Sequence, residues 1–500
     1  MTQQTPLSPP EFPKICTGLI NGELADVAGA HLLDVINPAT GKTLLELAEN
    51  SPEQVNKAVQ SAHAAFMNGV WSCAPISQRQ SVLLKAAELI KQRADSLAAL
   101  DVYTTGLVFH RSARPQIFAG ASWFEYFAGR IGTQDDKLFR QLPETHTLVT
   151  REAVGTAGLF TPWNIPFQGA CLKLAAALAA GNSCVLKPSE QSPLGAEALV
   201  TILHEAGLPR GVLHVVNGRG PETGAALAQH PLVQAISFTG GENGGRAIAI
   251  AAAQRFAKVT MELGGKSANI IFDDADYDRA LDGAIMAIYA NNGQACLAGS
   301  RIFVHAKIAD RFIADFIART HNIRIGDPFD AATELGPQSS QAHMQRVLSF
   351  CDIARQDNCE VLEQGSTQAE HGYYISPSVV LAHDNKTRVC QEEIFGPFAT
   401  FLVFDDDDAV IAAANDTRFG LAGYIWTADL KRGHRTASAL RSGYVLLNTP
   451  MVREKNAPFG GYGFSGVDRE GGEWSLNFYT EPKTMVVPYG NAPIPKLGKS

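Results

Sequence analysis

The sequence predicts an α/β protein: two open-sheet domains in tandem, each sheet mainly parallel and covered by helices, with an extended β arm at the end. Three observations carry this. A chain of 500 residues with 45% hydrophobic content is too long for one core, so two or three domains are expected. From about residue 154, short apolar runs alternate with helical segments at the spacing of a parallel sheet with crossover helices. A second set of such units runs from about residue 265 to 460.

Taken in order, residues 52–69 (PEQVNKAVQSAHAAFMNG) and 78–101 (QRQSVLLKAAELIKQRADSLAALD) carry helical periodicity. TAGLF predicts a strand that runs into the turn TPWNIP, and CLKLAAALAAG a helix. SCVLKPS reads as a buried strand and PLGAEALVTILHEAG as a helix stopped by Gly207. GVLHVVNG is a strand, ETGAALAQH a helix, VQAISFTG a strand, and GRAIAIAAAQRF a helix starting at about Gly245. The strands SANIIF, RIFVH and YVLLN belong to the second set. LNFYTEPKTMVVPYG reads as an arm with one strand, whose free edge needs a partner, another subunit.

Composition narrows the function classes. A formal net charge of -8 leaves no basic excess for phosphates and argues against nucleic acid. The polar, proline-rich MTQQTPLSPPEFPK lacks the apolar core of a signal peptide, and the most apolar runs are too short to span a bilayer. A soluble, cytoplasmic protein is expected. Cys16, Cys73, Cys171, Cys184, Cys351, Cys359 and Cys390 form no CxxC pair and no zinc spacing, and read as packing residues. The run Asp405–Asp408 reads as a solvated loop, so no metal is expected.

Cys296 differs from the other cysteines. In NNGQACLAGSR its neighbours are small and polar, which leaves nucleophile, metal ligand, disulfide half and tight-turn residue all open. Other candidates gather at strand ends. The glycine-rich turn from Gly240 to Gly245 runs from strand to helix, where a diphosphate fits, although it is not the GxGxxG fingerprint. Lys187 and Glu190 follow a buried strand; the carboxylate suits a ribose diol and would repel a 2′-phosphate, or the two form a surface pair. Glu262 in TMELGGKS suits a general base, and Asn164 in TPWNIP suits an oxyanion donor; each taken singly is more often structural.

TPWNIP, VLKPSEQSPLGA, SFTGGENGGR, MELGGKS, GQACLAGSR, EEIFGPF and PFGGYGFSGVDRE occur together in the order and spacing of the aldehyde dehydrogenase superfamily, and the resemblance covers nearly the whole chain. It implies two Rossmann-like domains, one for cofactor (residues 1–130 and 154–263) and one catalytic (264–464), with a small β oligomerisation arm (131–153 and 478–500) and a homodimer or homotetramer. It further implies Cys296 as the thiol that attacks the aldehyde, Asn164 and the Cys296 N–H as oxyanion donors, and Glu262 as the base that hydrolyses the thioester. The implied cofactor is NAD, with NADP as the alternative. Lys187 and Glu190 are then at the adenosine ribose, and Gly240, Gly241 and Gly245 at the diphosphate. Glu393 is at the nicotinamide ribose, with Trp163, Leu263 and Phe395 close by.

Ile165, Leu172, Leu297 and Phe459 are implied along the substrate tunnel, which suits an apolar, medium-sized or aromatic aldehyde. Arg453, in VREKNAPFGG, resembles the muconate-semialdehyde branch, where an arginine binds a substrate carboxylate; a surface salt bridge is the other reading, and PQIFAGASWF offers no second arginine. The competing classes are a coenzyme A-acylating enzyme, which does not need Glu262, and a crystallin-like structural protein, which does not need Cys296. Gly463 and Phe464 depart from the commonest pattern, which has a lysine and a polar residue there, and Gly241 stands where serine is usual.

Overall fold

The computed structural model describes residues 12–491 and 494–498. The proline-rich opening, residues 1–11, and residues 492–493 and 499–500 of the expected arm lie outside the described residues. No helix among the described residues is long and apolar enough to cross a membrane.

The first sheet runs in the order Gly466–Val467, Lys258–Glu262, Ala235–Thr239, Thr156–Phe160, Ser183–Lys187, Leu213–Val215, Leu19–Ile20 and Glu23–Leu24. Its central five strands are parallel. Thr156–Phe160 lies in the middle: the chain builds outward on one side, returns, and builds outward on the other. The strand order therefore reverses between Thr156–Phe160 and Ala235–Thr239, and a crevice opens beyond their carboxyl ends, where ligands of such sheets bind.

The second sheet orders Glu360–Glu363, Ser378–Leu381, Phe398–Phe404, Arg301–His305, Ala268–Ile271, Ala422–Trp426 and Tyr444–Leu447, all parallel except the first. Thr480–Pro488 pairs antiparallel with Thr145–Ala153 along its whole length, and Lys137–Phe139 flanks the other side. Met485, Val486, Val487, Leu138 and Phe139 of this small sheet are exposed.

The helices differ from expectation in four places, each for a packing reason. The helix expected over 78–101 is two, Ile76–Gln92 and Ala94–Thr105, with a corner at Arg93 (φ -105°, ψ 17°). The corner lets Leu89, Ile90, Leu97 and Ala98 all enter one core. The helix placed at Gly245 begins at Glu242, with Gly241 as its N-cap. Gly244 and Gly245 are inside it because a β-carbon would come within 2.8 Å of Phe238 and 2.7 Å of Leu263 respectively. ETGAALAQH contributes only the short helix Ala225–Gln229, preceded by a wider π turn over Gly220–Gly224. The arm strand starts only at Thr480; before it, Gly472–Phe478 is helical and anchors Leu476 and Phe478 in the first core.

All eight cysteines are free thiols; Cys73 is exposed rather than packed, because it sits in the turn after Pro52–Met67, while the other six assigned to packing are buried. Asp406 caps the helix Asp407–Asn415, and Asp407 and Asp408 pair with Arg432 and Arg435.

One buried cation ties the second sheet to the site. Arg301 opens a strand five positions after Cys296 in sequence and is 1% exposed. It donates to the Lys266 carbonyl at 2.9 Å, Asn385 Oδ1 at 2.8 Å, the Ala413 carbonyl at 3.1 Å and the Ala414 carbonyl at 2.7 Å. Arg301→Ala strands these buried acceptors and should lower stability by about 2–4 kcal/mol. The check is the urea midpoint; a midpoint equal to the parent's would show that water or a shifted donor replaces the guanidinium.

Candidate active site

The two sheets meet end to end. Trp163 and Asn164, Lys187, Gly240 and Glu262 stand at the carboxyl ends of first-sheet strands. Cys296, Glu393 and Phe395 stand just before second-sheet strands. The glycine turn between Glu262 and Ala268 joins the two sets: a β-carbon on Gly265 would lie 2.6 Å from the Cys296 carbonyl oxygen.

The Cys296 loop is held by side-chain amides. Asn291 and Asn292 adopt left-handed backbone (φ 58° and 59°), a conformation asparagine tolerates better than most residues. Asn292 Nδ2 donates to the carbonyls of Gly106 (2.9 Å) and Pro337 (3.1 Å), and its Oδ1 accepts from Gly336 N at 2.8 Å. Asn291 Nδ2 donates to the Asn164 carbonyl at 3.0 Å, and Asn164 Nδ2 donates to the Gln294 carbonyl at 2.8 Å. The Asn164 amide is thus buried and fixed against the loop that carries Cys296.

Glu262 is 4% exposed, and neither carboxyl oxygen has a hydrogen-bond partner. Burial pushes this carboxyl well above the ordinary range; Glu470 adds to the push, and Arg453 and Lys173 oppose it. Cys296 is half-buried. Desolvation pushes its thiol up to about 12, the carboxylates of Glu393 and Glu262 add to this, and Arg453 opposes. Burial therefore favours the protonated form of both groups.

Behind Glu262 lies a pair that the sequence reading missed. Lys173 Nζ donates to Glu470 Oε1 at 2.6 Å and to Ser237 Oγ at 2.7 Å, and Ser237 donates to the same carboxylate at 3.0 Å. Burial alone would raise the Glu470 carboxyl, but Lys173, Arg453 and Ser237 together hold it below its ordinary value. The signal was present: CLKLAAALAAG is an apolar helix with a single lysine, and a lysine 2% exposed needs an anion.

Arg453 is no surface salt bridge. Its Nε and Nη2 are buried without a hydrogen-bond partner, and its guanidinium lies 4.1 Å from the Phe459 ring centre and 5.2 Å from that of Trp123. Tyr444 packs on Phe459 at 5.7 Å. Trp123 and Tyr444 were not among the expected lining residues, though Trp123 lies in PQIFAGASWF. Leu297, Tyr444 and Met451 pack against the buried cluster of Ala287, Ala422, Tyr424 and Leu446. Ile165 precedes the helix Pro166–Ala179, and Leu172, in that helix, is 7% exposed within the first core.

The groove on the other side suits a dinucleotide. The helix Glu242–Ala253 has no side-chain cap, so its first-turn N–H groups are open to an anion. Lys187 Nζ donates to the Pro188 carbonyl at 2.9 Å and lies 3.7 Å from Glu190, whose carboxylate is partly exposed. Glu393 accepts from Gly265 N at 3.0 Å, and burial moves its carboxyl up to about 7. A cavity of about 510 Å³ opens between Glu242, Gly264, Arg346, Glu393, Arg418 and Phe419. Phe395 (φ 65°) packs edge-on to Trp163 at 5.2 Å.

Comparison with known proteins agrees with this geometry. Residues 26–485 match the family model described as the aldehyde dehydrogenase family. The mitochondrial benzaldehyde dehydrogenase of Antirrhinum majus is 36% identical over 98% of this chain and 92% of its own. Aldehyde dehydrogenase 1 of Tanacetum cinerariifolium is 37% identical over 95% of each. The NAD+ complex of an aldehyde dehydrogenase from Bacillus cereus superposes with a TM-score of 0.92 at 35% identity, covering 95% of this chain and 96% of that one. The chain therefore belongs to the aldehyde dehydrogenase family.

Proposed function

We propose that the protein oxidises an aldehyde to its carboxylic acid with NAD, through a thioester on Cys296. The observation that carries this is Glu262: a buried carboxyl with no partner, next to a thiol whose loop is pinned by the Asn164 amide. The Cys296 thiolate attacks the aldehyde carbon, and the Asn164 amide and Cys296 N–H receive the oxyanion. The nicotinamide, when bound, supplies the hydride acceptor. Glu262 then takes a proton from water, which attacks the thioester and frees Cys296. In this reading the first sheet forms the cofactor unit and the second the catalytic unit. Lys187 and Glu190 hold the adenosine ribose, and the Glu190 carboxylate disfavours a 2′-phosphate.

Glu262→Gln separates the two halves of this chemistry. With NAD it should give one burst of NADH per active site followed by turnover slowed by roughly 10²–10⁴, the usual worth of a general base. Cys296→Ala should give no burst, and NADP should support a weaker burst than NAD in the parent. An undiminished steady state in Glu262→Gln would remove it as the base.

A second, finer reading concerns the substrate. Trp123, Tyr444 and Phe459 offer aromatic walls, which suit an aromatic or conjugated aldehyde such as the relative from Antirrhinum majus is named for. Arg453, desolvated and without an ion partner, favours such an aldehyde carrying a carboxylate. Arg453→Leu should then raise KM for carboxylated aldehydes by about tenfold or more while moving benzaldehyde little, the usual worth of a charge-assisted hydrogen bond. Equal losses for both substrates would mark Arg453 as a structural or charge-balancing residue.

The small sheet with its exposed apolar edge is read as the arm of a homodimer or homotetramer. Light scattering on the full chain and on a chain ending at residue 479 should show the mass fall on truncation. A monomeric full chain would refute the arm's role.

A further inference from the structure

The three positions that depart from the commonest family pattern, Gly241, Gly463 and Phe464, gather around one ion pair. Gly241 is the N-cap of Glu242–Ala253 and offers no side-chain acceptor, and the space where its β-carbon would point is open. The first residue of that helix, Glu242, puts a carboxylate where an anion would otherwise be drawn. Two arginines answer it. Arg246, one turn on, donates to Oε1 at 2.7 Å, and Arg418 places Nη2 2.8 Å from Oε2.

Arg418 comes from the other sheet, in the loop before Ala422–Trp426. Gly463 and Phe464 build its seat. The Phe464 ring centre lies 4.9 Å from the guanidinium, with Phe419 at 5.1 Å on another side. Phe464 N donates to the Arg418 carbonyl at 3.0 Å. Gly463 has φ 57°, and a β-carbon there would lie 2.6 Å from the same carbonyl oxygen. A lysine at 463, frequent at this place in the family, would not fit without moving Arg418. Both partners of the pair line the 510 Å³ cavity that Glu393 also faces.

We propose that Arg418 is the cation this chain sets beside the cofactor's diphosphate, and that Glu242 is the counter-charge that limits its grip. The proposal rests on the NAD reading above. With the groove empty, Glu242 holds Arg418. When a diphosphate enters, it competes with Glu242 for the same guanidinium, and Glu242 draws the arginine back as the cofactor leaves. Glu242, Arg246 and Arg418 together carry one net positive charge. Removing Glu242 leaves two positive charges at the diphosphate, and removing Arg418 leaves none.

The two partners of the pair must therefore act with opposite sign. A bridge that merely ties the sheets together would lose the same contact in either variant, and both would shift the same way. The test is NADH binding to the purified full chain, followed by the nucleotide's fluorescence, with release measured by displacement. Glu242→Gln should bind NADH about threefold tighter and release it more slowly, and Arg418→Gln should bind about threefold weaker, as expected for one partly screened charge a few ångströms from the ligand. Arg418→Lys, which keeps the charge, should stay near the parent. Both effects should shrink as salt is raised. Shifts of the same sign in the two glutamine variants, or no shift in either, would overturn the proposal and leave the NAD reading standing. A parent that binds no NADH would overturn both.

Discussion

The approach of the two sheets depends on a place where no side chain can stand. Gly264 and Gly265 follow Glu262 directly; a β-carbon on Gly264 would overlap the Glu393 carboxyl, and one on Gly265 would press on the Cys296 carbonyl. The close packing brings the carboxyl ends of one sheet against the strand starts of the other. A Rossmann-type sheet alone offers a crevice for a nucleotide. The second sheet, held at this distance, brings the Cys296 thiol and the Glu393 carboxyl to the same crevice. Arg301 fixes the far side of the turn through the Lys266 carbonyl, so the glycines are free of side chains without being free to move.

Around this seam the charges are arranged to be few and paired. Lys173 and Glu470 are both nearly inaccessible, and a buried ion of either kind without the other would be strongly unfavourable. Together with Ser237 they form a closed set. Glu262 lies next to that set without joining it, so its carboxyl feels Glu470 as a repulsion and receives no hydrogen bond in return. Arg453 supplies the remaining positive charge from the aromatic side, where ring faces as well as the charges of Glu470 and Glu262 offset its desolvation.

Much of this was legible in the sequence, for reasons that can be named. The alternating strands and helices of both sheets could be read because fully buried parallel strands are short apolar runs, as in SCVLK and RIFVH. Cys296, Glu262 and Asn164 stood out because each is a reactive or polar type in a small or rigid local setting. The corner at Arg93 could not be read, since the apolar period continues through it and only tertiary packing decides the turn. The helix start at Glu242 was misplaced because Gly244 and Gly245 look like turn residues, and their real role, room for Phe238 and Leu263, is a contact between distant segments. Glu470 and Trp123 were missed for the same reason: a carboxylate in VDREGG and an indole in an amphipathic helix have nothing local to mark them.

In the proposed reaction the charges around Cys296 and Glu262 bear on the order of the steps. The Glu262 carboxylate raises the affinity of the Cys296 sulfur for its proton, and by reciprocity a thiolate opposes ionisation of the carboxyl. An acylated sulfur is neutral, so in this reading that repulsion is relieved before hydrolysis, while Arg453 and Lys173 go on favouring the Glu262 carboxylate against its burial and Glu470. Attack before hydrolysis would then follow from the charge on sulfur.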